Sequence, residues 1–229
     1  MLEALKEQVC DANLELVDHG LVTLTWGNVS GISDDRRHVV IKPSGVSYDE
    51  MRPEQMVVVD LDGKVVEGNL RPSSDTPTHV LLYRHFKSIG GITHTHSTYA
   101  TTFAQARLEI PVFGTTHADH FFGPIPLTRP LTEAELDAGY EVNTGTVIVE
   151  RFAKLDPVAM PAVLVAGHAP FAWGKNVAES VKNAVALEAV AQMALGVLAL
   201  SPGGVTLEPY VLKKHYERKH GPNAYYGQK

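Results

Sequence analysis

Three histidines and an aspartate are the residues of this chain best suited to chemistry. His94 and His96 stand two apart, and in an extended strand residues two apart share a face, so both imidazoles would address one point. That is metal-ligand spacing. In a chain with 11 histidines, an isolated His-x-His also describes a strand that happens to carry two, so the surroundings must decide. His168 follows the apolar run 162–165, where a sheet-end loop can aim it inward or leave it as a turn histidine. Asp75, in Arg71-Pro72-Ser73-Ser74-Asp75-Thr76-Pro77, taken alone fits a helix N-cap better than a carboxylate ligand. Three imidazoles and a carboxylate suit Zn²⁺ or a similar divalent ion. Four protein ligands resemble a closed structural site, so catalysis would require the coordination to expand or the carboxylate to yield.

A second group could hold an anion. Asn28, Lys42, Ser44, Gly45, Ser73 and Ser74 lie in Gly/Ser/Pro-rich loops after a strand or before a helix. There, bare N–H groups cradle a phosphate and a lysine adds charge. Loops carry such residues in any case. Asp119, in His-Ala-Asp-His-Phe-Phe, fits a surface capping residue better than a buried acid or base, and Tyr225 and Tyr226 fit an aromatic clamp better than proton carriers.

Positioning these groups requires a folded scaffold, and 229 residues with 44% apolar composition allow one α/β domain spanning 1–229. A formal charge of −6 argues against nucleic-acid binding, which calls for a basic stripe, but leaves room for one small anionic substrate. Cys10 is the only cysteine, so internal disulfides and cysteine-rich metal sites are excluded. The first residues mix charge into an apolar period, unlike a signal peptide, and the apolar segment 184–200 is broken by Glu188 and Gln192. The expectation is a cytoplasmic protein without a membrane anchor.

Helical spacing of Leu2, Leu5, Val9, Ala12 and Leu16 predicts a first helix stopping near Gly20. Residues 22–26 predict a strand, as do 39–41, and 57–61 with 64–66 predict a hairpin across Asp62-Gly63. A helix should follow Pro77, then the His94/His96 strand and a helix over 99–106. Thr132 and Glu135 are spaced as a capping box. Residues 145–152 fit strand or helix alike. Strands at 162–165 and 171–174, a long helix over 177–200 and a basic helix over 212–220 complete the pattern.

These stretches together resemble the class II aldolase/epimerase family over nearly the whole chain. The resemblance rests on residues 21–30, Ile41-Lys42-Pro43-Ser44-Gly45-Val46, 56–59, 71–79, His94-Thr95-His96-Ser97, Gly114-Thr115-Thr116-His117-Ala118-Asp119, 171–176 and Ala224-Tyr225-Tyr226-Gly227-Gln228. Ser73 to His79, Thr115 to Asp119 and the Tyr-Tyr-Gly-Gln end look like its epimerase branch. At the position of Asp75 the aldolase branch typically carries a glutamate base. The resemblance implies a three-layer α-β-α fold with a central, mainly antiparallel sheet, assembled as a homotetramer with active sites between subunits. It implies one divalent metal per subunit on Asp75, His94, His96 and His168, most simply Zn²⁺, with Mn²⁺ or Co²⁺ as alternatives. Substrate phosphate would lie on Gly27, Asn28, Lys42, Ser44, Gly45, Ser73 and Ser74. Asp119 and Tyr226 would carry protons, with Tyr226 and the substrate-binding His215 coming from the neighbouring chain. The implied reaction interconverts L-ribulose 5-phosphate and D-xylulose 5-phosphate by breaking and re-forming C3–C4; the alternative is an aldolase acting on a related ketose phosphate. One departure is Ala169, where the family usually has glycine; if that position needs φ > 0, alanine strains it by roughly 1–2 kcal/mol.

Overall fold

The computed structural model describes residues 2–226, so Gly227 and Gln228 of the tail motif lie outside the described residues. Helix α1 (Glu3–Asp18) leads into strands β1 (Asn28–Ile32) and β2 (His38–Ile41), then the hairpin β3 (Val57–Asp60) and β4 (Val65–Glu67). Helix α2 (Thr76–His85), strand β5 (Gly91–His94), helix α3 (Thr98–Ala106) and the single turn α4 (Thr115–Ala118) follow. Helix α5 (Glu133–Arg151), strands β6 (Ala162–Leu164) and β7 (Pro170–Gly174), and helices α6 (Val177–Leu200) and α7 (Pro209–His220) complete the order. The strands form one sheet in the order β4-β3-β2-β1-β5-β7-β6, and every neighbouring pair is antiparallel.

Strand β1 shows how the two helical layers divide. Ser30 faces α2, where its hydroxyl meets His79 Nδ1 at 2.7 Å and the Tyr83 hydroxyl at 2.9 Å. Its neighbour Gly31 faces the other way, as strand alternation demands. A Cβ there would stand 2.6 Å from Val177 and 2.8 Å from Leu5, so α1 and α6 dock on that face because the side chain is missing. By length and composition α6 could cross a membrane, but it packs on the sheet through Val181, Leu187 and Val190, all buried. The core runs along both faces, with Val29, Ile92, Phe171 and Trp173 inaccessible to solvent.

The sequence expectation fails at 22–26, which forms no strand. Leu24 takes φ 55° and Gly27 φ 84°, Leu24 is 75% exposed, and regular pairing begins only at Asn28 opposite His94. β-branched and aromatic residues favour a strand only where a neighbour offers a pleated, half-buried surface. Residues 145–151 belong to α5, with Phe152 as its C-cap; Thr144, Val147 and Ile148 are buried at helical spacing and the Thr132/Glu135 capping box is formed.

Candidate active site

Strand β5 ends at His94, and the chain continues past the strand so that His96 still reaches the same point. The turn after β6 brings His168 to them. All three ring-centroid separations are 5.0 Å, and the nitrogen each ring offers lies within 4.8 Å of the other two. His94 Nδ1 donates to the Pro170 carbonyl at 2.9 Å, which leaves Nε2 with its lone pair free. His168 Nδ1 is buried and has no hydrogen-bond partner among the described residues. Burial, reinforced by the neighbouring histidines, pushes His94 and His168 down to about 3, and burial also lowers His96. All three are therefore neutral at physiological pH, the form a metal requires. The donor set fits one divalent ion.

Asp75 occupies the N-cap position of α2 but makes no capping bond. Its carboxylate instead accepts from Asn28 Nδ2 at 2.7 Å and stands 3.9 Å from His94 Nε2, beside the triad but outside the group whose ligand atoms lie within 4.8 Å of one another. The glycine expected to matter also moves. Gly167 takes φ 74°, whereas Ala169 is absent from the positive-φ residues, so alanine after His168 brings no strain.

The histidines and Asp75 share a cavity of about 390 Å³ with Gly27, Asn28, Lys42, Ser44, Gly45, Ser73 and Ser74. Two loops meet there, tied by Ser44 N–H to the Arg71 carbonyl and Ser73 N–H to the Lys42 carbonyl, both at 2.9 Å. The N–H groups of Gly45 and Ser74 find no acceptor among the described residues, so they are free for an anion. Lys42 is buried, and its ammonium donates to the Val46 carbonyl at 3.1 Å, 4.9 Å above the Tyr48 ring, so it braces the loop as well as charging the cavity. Burial lowers its pKa. Gly27 is required by proximity, since a Cβ would lie 2.9 Å from the His94 carbonyl oxygen.

Tyr140 and Glu141 also line this cavity, and sequence reasoning missed them. Helix α5 breaks at Gly139 (φ 142°, ψ 105°), which turns Tyr140 toward His168 with ring centroids 5.7 Å apart. A glycine inside a helical pattern was the signal available.

Asp119, His215 and Tyr226 do not line the cavity. They form a cluster of their own, in which Asp119 accepts from His215 Nδ1 at 3.1 Å and from Arg218 at 3.0 and 2.7 Å, and Arg218 lies under the Tyr226 ring. His220 Nε2 donates to the Asp119 carbonyl, and His120 and His220 face Gly174 and Lys175, at the end of β7 that pairs with Gly91. The His triad sits at the other end of these strands, about 10 Å away at a strand's rise per residue. Within one chain, then, Asp119, His215 and Tyr226 stand together and apart from that chain's own triad. The reason is that α7 docks on α4 through the Asp119 carboxylate.

Residues 7–195 match the family described as Class II Aldolase and Adducin N-terminal domain, and the chain belongs to that family. Its sheet and helices superpose on a solved L-fuculose 1-phosphate aldolase with TM-score 0.78 at 26% identity, covering 94% of this chain and 95% of that one. The L-fuculose-1-phosphate aldolase of Thermus thermophilus has the same fold (TM-score 0.69, 22% identity, 89% and 98% covered). Over 228 residues, and over the whole of both chains, the sequence is 56% identical to the L-ribulose-5-phosphate 4-epimerase UlaF of Salmonella paratyphi A and 55% identical to that of Salmonella paratyphi B.

Proposed function

We propose that the protein is a metal-dependent epimerase interconverting L-ribulose 5-phosphate and D-xylulose 5-phosphate. The observation that carries this reading is one cavity holding a metal-ligand triad, Asp75 and a phosphate cradle, in a chain 56% identical end to end to a named 4-epimerase. The proton on C4 of a 2-ketopentose is β to the carbonyl, and its removal leaves an unstabilised carbanion. Breaking C3–C4 instead leaves a stabilised three-carbon enediolate and glycolaldehyde phosphate. A divalent ion on His94, His96 and His168 with Asp75, most simply Zn²⁺ and alternatively Mn²⁺ or Co²⁺, supplies Lewis acidity toward the negative charge that develops on the ketose oxygens. Ser44, Gly45, Ser73 and Ser74 retain the aldehyde fragment by its phosphate, with Lys42 and Asn28 behind them. While so held, the aldehyde turns its other face to the enediolate before the bond re-forms. One group takes the C4 hydroxyl proton on cleavage, and another returns a proton to the new C4 alkoxide from the opposite side; these are Asp119 and Tyr226.

Because both proton carriers sit at the far end of the sheet from their own triad, they serve the triad of a neighbouring subunit, and His215 comes with them. Donor and acceptor patches differ, so the contact is head-to-tail, and we read it as closing into a ring of four, a homotetramer. We read 1–229 as one domain and the protein as cytoplasmic, a reading supported by a proposed substrate that, as a sugar phosphate, does not cross membranes unaided. Purified, metal-analysed protein should convert L-ribulose 5-phosphate to D-xylulose 5-phosphate in a coupled assay without releasing glycolaldehyde phosphate; release of the aldehyde would identify an aldolase. The shared site is tested by mixing. His168→Asn and Asp119→Asn subunits, each inactive alone, should recover about one quarter of wild-type activity after random equimolar reassembly, since each site draws on two chains. A mixture that stays inactive would refute the shared site.

A further inference from the structure

The two proposed proton carriers share one neighbour, Arg218. Its guanidinium binds Asp119 side-on, Nε to Oδ1 at 3.0 Å and Nη2 to Oδ2 at 2.7 Å, the two-point geometry that a planar fork makes and an ammonium cannot. Its backbone carbonyl accepts from the N–H groups of Tyr225 and Tyr226 at 3.0 and 3.1 Å, and so closes the tail back onto α7. Its Cζ stands 4.6 Å from the Tyr226 ring centroid. Side chain and main chain of one residue therefore hold the carboxylate, the tyrosine backbone and the phenol ring.

We propose that Arg218 is the positioning residue that fixes Asp119 and Tyr226 relative to one another, so that they enter the neighbouring site as one rigid pair. The proposal rests on the reading of these two as proton carriers. Inversion at C4 demands two groups at a set separation on opposite faces of the aldehyde, and neither surface-exposed Tyr226 nor a lone carboxylate has that separation built in. The other charged or titratable groups around Asp119 are His215, Lys219 and His220 from α7, His117 and His120 from its own turn, and Lys182 from α6. None of them reaches both carriers as Arg218 does; Lys219 approaches the Tyr226 ring at 4.9 Å but makes no bond to the carboxylate. Burial pushes the Asp119 carboxyl up, but the Arg218 and His215 hydrogen bonds outweigh it and leave it below the usual carboxylate range.

The test uses the full-length, metal-loaded protein. Arg218→Met should lower kcat on the order of 10²-fold with a much smaller change in KM, and Arg218→Lys should recover only part of it. The acidic limb of the kcat/KM profile should move to higher pH, because the carboxylate loses its charged partner. In an Asp119→Asn background, Arg218→Met should cost less than it does in the wild type, since one of the two groups it acts through is already removed. Arg218→Ala should regain turnover on adding guanidinium ion, which separates positioning from damage to the fold. Near-normal kcat with an unmoved acidic limb, full multiplicativity with Asp119→Asn, or no guanidinium rescue would overturn the proposal. If Asp119→Asn and Tyr226→Phe themselves turn over normally, the reading of the proton carriers fails instead.

Discussion

Glu188, on α6, braces the segment that carries His96, a proposed metal ligand. Its half-buried carboxylate accepts from the Ser97 hydroxyl at 2.7 Å, the Tyr99 N–H at 2.8 Å and the Ala100 N–H at 2.9 Å, so a neighbouring helix caps the start of α3. Ser97 directly follows His96. Glu188→Ala removes all three bonds and strands two first-turn N–H groups. A hydrogen bond to a charged group contributes about 1.5–3 kcal/mol. The three share one carboxylate, and water reaches part of the vacated space, so the expected loss is about 2–4 kcal/mol. For a chain of this length that lowers Tm by roughly 5–15 °C. The loosened segment also releases His96 from its place beside His94 and His168, and groups that orient ligands typically cost 10–100-fold in metal affinity when removed. Calorimetry and competition against a chromogenic chelator, both well below Tm, read the two effects separately. Glu188→Gln should lose less, because its amide oxygen can still accept from Ser97 and Ala100 while only the Tyr99 N–H loses its acceptor. If Glu188→Ala melts within a degree of wild type and binds metal with unchanged affinity, the argument that α6 positions His96 is wrong.

Further outcomes follow from the same geometry. His168→Asn should purify folded but with metal occupancy strongly reduced, because His168 belongs to no strand and its loss leaves the sheet intact; metal analysis beside circular dichroism checks it. Gly45 has φ 71° with open space where a Cβ would stand, so Gly45→Ala should cost roughly 1–2 kcal/mol of local strain and raise KM for the sugar phosphate more than it changes kcat. The Asp119 carboxyl lies below its usual range in the folded state, so its ion pairs stabilise the α4–α7 contact above the unfolded-state pKa. That stability is lost as pH falls through the folded one. Proteolysis within 205–226 should therefore accelerate on acidification before the sheet unfolds, measured by limited digestion, and a rate indifferent to pH would count against the ion pairs as the tether.

Much of this protein was legible from residue pattern because local physics decides it. The Asp62-Gly63 hairpin, the Thr132/Glu135 capping box, the long apolar helix α6 and the strand runs at β2, β6 and β7 depend on turn chemistry, periodicity and apolar content within a few residues. The candidate metal ligands His94 and His96 could be proposed from their spacing, but Asp75 and His168 joined them only through the family resemblance. Other features depended on partners that sequence does not display. Residues 22–26 have the composition of a strand but no strand beside them, and Asp75 looks like a cap until Asn28 draws its carboxylate toward His94. Tyr140 and Glu141 reach the cavity only because α5 breaks at Gly139. The tertiary structure alone decided which end of the sheet carries Asp119, His215 and Tyr226. That choice rests on the Arg218 and His215 contacts across about a hundred residues of chain, a distance at which pairing is set by packing and charge and leaves no trace in local pattern.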